Sequence, residues 1–156
     1  GIRESGMLDM KQLVLEKDKS VIGVFCDNAV TDHDGNLFDA CSYASTAAIN
    51  SCKIPKYEMQ DEKPVKIEDE FIEPPITTLP VSVTMAKIGD HILVDPTIEE
   101  WGIMDARITI TSNSDGNVVA LQKGGSDGFT QDELIKCAEL SIKVGSKIRE
   151  IIKQSK

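Results

Sequence analysis

Two stretches of the chain alternate apolar and polar positions with the period of a β-strand. In 79–88, Val81, Val83 and Met85 occupy every second position before the turn Gly89-Asp90, and Ile92-Leu93-Val94 follows; this predicts a hairpin. Residues 106–111 and 118–122 predict a second hairpin around the turn Asn113-Ser114-Asp115-Gly116. The period then changes. Leu134, Ala138, Ile142, Gly145, Ile148 and Ile152 recur at helical spacing, while Lys143, Lys147, Arg149 and Lys153 suit the negative C-terminal end of a helix dipole. Thr130-Gln131-Asp132-Glu133 opens that helix as a capping box, in which the hydroxyl and the carboxylate each satisfy a backbone amide.

The N-terminal part carries weaker patterns. Leu8, Leu13, Val14 and Leu15 in a charged setting fit a short helix or an irregular lead-in. Within 20–30, the continuous run Val21-Ile22-Gly23-Val24-Phe25-Cys26 predicts a strand buried on both faces. The turn residues 32–36 break it. Residues 37–52 are rich in alanine and small side chains, which predicts a helix packed closely on a sheet, with Asn36 or Asp39 as its N-terminal cap and Lys53-Ile54-Pro55 as its end. Pro64, Pro74, Pro75 and the acidic run Glu68-Asp69-Glu70 make 60–78 a surface connector. The order strand, helix, connector, hairpin, hairpin, helix predicts an α+β fold with helices covering one face of each sheet portion. Its opening strand lacks a neighbour in the sequence, as expected of part of a larger fold.

Composition narrows the function. At 156 residues with 40% hydrophobic positions, the chain folds as one unit. None of its four cysteines stands in a CxxC pair, and His33 and His91 are not spaced from them as zinc ligands, so buried, reduced thiols are expected. No apolar run approaches the ~20 residues of a membrane span, and the first residues are unlike a signal peptide; a soluble, intracellular protein is expected. A formal charge of -9 repels phosphate backbones. With only Arg3, Arg107 and Arg149 available for bidentate phosphate contacts, sequence-independent nucleic-acid binding by this chain alone is not expected.

Candidate chemistry is sparse. Asp32-x-Asp34-Gly35 begins like a calcium loop, but Val30 and Cys41 would fall at the first and last ligand positions, so an ordinary turn is favoured. Gly124-Gly125-Ser126-Asp127-Gly128 precedes a helix, yet lacks phosphate-loop spacing and its lysine, and reads as a flexible turn before an anion cradle. Asp95, Glu99, Glu100 and Asp105 surround Trp101 and offer oxygens for magnesium or proton transfer; a solvated acidic loop is the favoured alternative. No GxSxG, HExxH or Cys/His arrangement marks a nucleophile.

Several segments, in order, resemble one family. These are Gly1-Ile2-Arg3-Glu4-Ser5-Gly6, Asp34-Gly35-Asn36-Leu37-Phe38-Asp39-Ala40, the stretch 79–97, Met104 to Thr111, and Ala120 to Gly124. Together they are similar to the C-terminal part of the non-catalytic ribonuclease PH-like subunits of the archaeal exosome. The resemblance implies ribonuclease PH-like βα units with mixed sheets covered by helices. It divides the chain into 1–59, the remainder of an N-terminal subdomain, the connector 60–78, and a C-terminal subdomain, 79–156. It further implies a cytoplasmic ring of three heterodimers with a catalytic relative, joined by exosome cap proteins and degrading RNA from the 3′ end by phosphate attack.

Active relatives carry a Gly-Gly-Thr/Ser-Arg turn that holds the phosphate. Here the matching turn places Phe38 at the arginine position, and Glu99, Glu100 and Asp105 stand in for the acidic loop with altered alignment. These four are expected to be vestigial site positions, with no catalytic, phosphate-binding or metal-binding residue and no cofactor. The RNA-contacting residues are left open. Competing readings are a phosphate-dependent 3′-to-5′ exoribonuclease active in its own right, and an interaction module sharing only the fold.

Overall fold

A computed structural model describes residues 1–154. Its centre is a four-stranded sheet made of β5 (Val81–Ile88), β6 (His91–Val94), β7 (Ala106–Ser112) and β8 (Val118–Gly125), in the order β6-β5-β7-β8. Both predicted hairpins are present, and β5 pairs with β7 from Val81 opposite Ser112 to Lys87 opposite Ala106. All strand pairs among the described residues are antiparallel, where the resemblance implied mixed sheets.

Side chains alternate across the strands, so one face of the sheet carries Val83, Met85, Ile108 and Ile110, which form a core with Cys137. The helix α3 (Gln131–Gln154) covers this face. Its capping box is formed as the sequence indicates: Thr130 N donates to Glu133 Oε2 at 2.7 Å, and Glu133 N donates to Thr130 Oγ1 at 3.3 Å. Near the end of α3, buried Arg149 donates to the carbonyls of Leu79 and Ser112, fastening the helix to the segment leading into β5 and to the end of β7. The helix α1 (Leu37–Ser51) reaches β5 through the opposite set of side chains, Asp39 on Thr84 and Ser42 on Ser82, and meets α3 in a second core of Ile49, Val81 and Ile152.

Several expectations need correction. Between residues 20 and 30 only Ser20–Val21 is a strand (β2), paired with β1 (Val14–Glu16) after a single helical turn at Met10–Leu13. The remainder of the run is irregular, and Phe25 is 92% exposed. β-branched residues favour a strand only when a neighbour completes the ladder, and none of the described strands lies alongside.

The stretch expected as a connector, 60–78, carries regular structure: β3 (Ile54–Gln60) and β4 (Lys63–Ile72) form a separate ribbon with an irregularity between Pro55 and Tyr57. Pro64 is tolerated there because a two-stranded ribbon has only edge strands. Of the thiols, only Cys137 is buried; Cys26 is exposed, and Cys41 and Cys52 are half-buried. No helix among the described residues is long and apolar enough to cross a membrane.

Candidate functional site

The start of α1 meets the loop between β6 and β7. Gly35 has φ +103°, and a Cβ there would fall 2.6 Å from the Pro96 carbonyl, so glycine alone permits this approach. Across the contact lies α2 (Ile98–Ile103), whose capping box joins Thr97 and Glu100. Asn36 precedes α1 in a left-handed conformation and does not cap it. Its amide nitrogen instead donates to Asp39 Oδ2 at 2.9 Å and to Asp95 Oδ1 at 2.6 Å.

Asp39 is therefore not a cap but a buried anchor. Its Oδ2 also accepts from Thr84 N, and its Oδ1 from Thr84 Oγ1, both at 2.8 Å. Thr84 Oγ1 is in turn 2.8 Å from Thr109 Oγ1. Burial raises the Asp39 pKa above the ordinary aspartate value, with the hydrogen bonds from Asn36 and Thr84 acting against it and the Asp95 charge adding to the rise.

Phe38 stands at the edge of this anchor, a residue 39% exposed. It stacks on Trp101, centroids 6.0 Å apart and planes inclined by 16°. The Arg107 guanidinium lies 4.2 Å from the Phe38 centroid and 5.3 Å from that of Trp101. The ring faces attract the cation. Arg107 Nη1 is buried without a hydrogen-bond partner, so this attraction offsets part of the cost of withdrawing it from water. Space for the guanidinium comes from Gly124, where a Cβ would lie 2.8 Å from Arg107 Nε.

The acidic residues are dispersed. Glu100 Oε2 accepts from Thr97 N at 2.8 Å, Asp105 Oδ2 accepts from Gly89 N at 2.8 Å, and Glu99 is exposed on α2. Among the described residues no group of three or more His, Cys, Asp or Glu side chains is arranged to hold a metal ion. The segment Gly124–Gly128 is tied back as a turn, with Asp127 N donating to the Asp105 carbonyl. Arg107 was not among the expected site residues. Its one signal in the sequence is an arginine inside an otherwise uncharged β-run, 107–112.

The α+β fold is ribonuclease PH-like, as in the solved exosome chains described below, and residues 78–144 match the 3′ exoribonuclease family, domain 2. In sequence the chain is related to archaeal exosome subunits. It is 42% identical over 151 residues to Exosome complex component Rrp42 of Thermococcus kodakarensis, covering 96% of this chain and 56% of that protein. Its identity to the component of the same name from Methanopyrus kandleri is 41% over 154 residues, covering 98% and 57%. The solved "archaeoglobus fulgidus exosome with RNA bound to the active site" has a similar chain, with TM-score 0.78 and 35% identity over 96% of this chain and 56% of the other. An "Archaeal exosome core" gives TM-score 0.79 and 34% identity over 97% and 59%. The chain thus spans a little over half the length of these relatives.

Proposed function

We propose that this chain is a non-catalytic structural unit of an exosome ring. It pairs with a catalytic ribonuclease PH-like subunit, shapes that subunit's active site and supports phosphorolytic 3′-to-5′ degradation of RNA in the cytoplasm. In this reading 1–59 is the remainder of an N-terminal subdomain and 79–156 is the C-terminal one. RNA and the cap proteins are met through the assembled ring.

The carrying observation is the Phe38, Trp101 and Arg107 stack. Phosphoryl transfer depends on neutralising charge on the phosphoryl oxygens. At the turn that should supply an arginine stands a phenyl ring, and the nearby Arg107 is engaged with two aromatic faces. Glu100 and Asp105 are committed to backbone amides. Phe38, Glu99, Glu100 and Asp105 are accordingly vestigial positions.

The test is release of nucleoside diphosphates from an end-labelled oligoribonucleotide with inorganic phosphate and magnesium, by this chain alone and mixed with a catalytic ribonuclease PH-like partner. Inertness alone with stimulation of the partner is expected. Phosphate-dependent release by this chain alone would establish the enzyme reading instead.

A further inference from the structure

The ribbon of β3 and β4 stands at the far end of α1 from Phe38. The helix has 15 residues, which span about 22 Å at a rise of about 1.5 Å per residue, and β3 begins at Ile54, shortly after the helix ends at Ser51. The ribbon is thus a surface separate from the Phe38 site. Along β3, Pro55, Tyr57 and Met59 project to one side. Phe71 lies opposite Pro55 and Pro64 opposite Met59, so β4 adds to that side.

This face is left open. Phe71 is 52% exposed and Met59 40%, and within 54–72 only Ile54, at the base, is buried. A two-stranded ribbon on its own is marginally stable in water, and an exposed apolar face with a polar rim marks an interaction surface. We propose that the ribbon docks a basic protein, which covers the side bearing Tyr57 and Phe71 and sets lysine or arginine side chains against the surrounding carboxylates.

Charge selects the occupant. Glu58, Asp61, Glu62, Glu68, Asp69 and Glu70 face only Lys56, Lys63 and Lys66 in the same ribbon, and Lys56 is held by Glu70 at 2.8 Å. The excess negative charge repels an RNA backbone and a second copy of this chain, whose own charge is -9. A positively charged rim around an apolar patch complements both features. Within the exosome reading, the distance from Phe38 points away from the catalytic subunit whose active site the chain shapes, and towards a cap protein. The choice of the cap protein rests on that reading, whereas the basic character of the occupant does not.

The test titrates a purified archaeal exosome cap protein onto the tethered chain, in the presence of the catalytic ribonuclease PH-like partner and at two salt concentrations. Saturable binding that weakens with salt is expected. Phe71→Ser should weaken it by roughly tenfold through loss of the aromatic anchor. The pair Glu58→Lys and Glu68→Lys should weaken it by about as much at low salt and by less at high salt. Glu139→Lys, on α3, should leave it unchanged. All four positions are exposed, and circular dichroism confirms the fold of each variant. Stimulation of the catalytic partner should be the same in all of them.

Absence of cap binding, or binding unchanged in both ribbon variants, overturns the proposal. If stimulation of the catalytic partner persists without cap binding, this proposal falls alone; if neither occurs, the exosome reading falls with it. Stimulation lost in the ribbon variants would assign the face to the catalytic subunit, and a dimer of this chain abolished by Phe71→Ser would assign it to a second copy. Either result overturns the basic cap as its occupant.

Discussion

On the side facing α3 the central sheet presents Val83, Met85, Ile108 and Ile110, whereas the intervening positions facing α1 are Ser82, Thr84, Thr109 and Thr111. Both sets are buried. The apolar face gains stability from area removed from water, a force without direction. The hydroxyl face gains only about 0.5–1.5 kcal/mol for each net hydrogen bond, but its bonds are directional and place Asp39, and with it Phe38, at a fixed position. One sheet thus separates holding the fold together from aiming the candidate site.

The strongest challenge to this division is a pair of neighbouring substitutions on β5. Met85→Ala, at a fully buried position, is expected to cost about 2–5 kcal/mol in urea denaturation through the cavity it leaves. Thr84→Val keeps the shape but removes a donor to Asp39, with an expected cost of about 1–3 kcal/mol. A larger cost for Thr84→Val than for Met85→Ala would break the contrast. Thr130→Ala removes the cap of α3 without touching the sheet, and should lower the midpoint by the equivalent of about 1 kcal/mol.

The smallest effect concerns pH. Because the folded-state pKa of Asp39 is raised, its protonated form is favoured by folding. That contribution is complete below the ordinary value of 3.8 and is lost as pH rises through the raised folded value. The stability of the wild type relative to Asp39→Asn should therefore decline over that window, as read from denaturation curves at successive pH values. A difference that grows with pH would place the hydrogen-bond donors above burial in controlling this carboxyl.

The central hairpins and α3 were legible because their patterns are local: alternation from Val81 to Met85, and a capping box at Thr130 followed by a helical period. The alternation also contained the hydroxyl face, since Ser82 and Thr84 fill the positions between. What escaped depends on distant partners. Beyond Val21, the run to Cys26 has strand composition but is not paired in any described sheet, while the proline-bearing 63–72 becomes a strand because Ile54–Gln60 pairs with it. The acidic loop looked like a cluster in one dimension; in space Glu100 turns to its helix cap and Asp105 to a hairpin amide. Arg107 is remote in sequence from Phe38, and no local pattern announces their contact.

Gly124 makes that contact a shared property of two strands. Any larger residue at 124 would drive a carbon into the guanidinium of Arg107, which is confined by the Phe38 and Trp101 rings. A side chain gained at 124 on β8 therefore acts on the aromatic stack through β7, because the Arg107 guanidinium has to shift against the two rings to admit it.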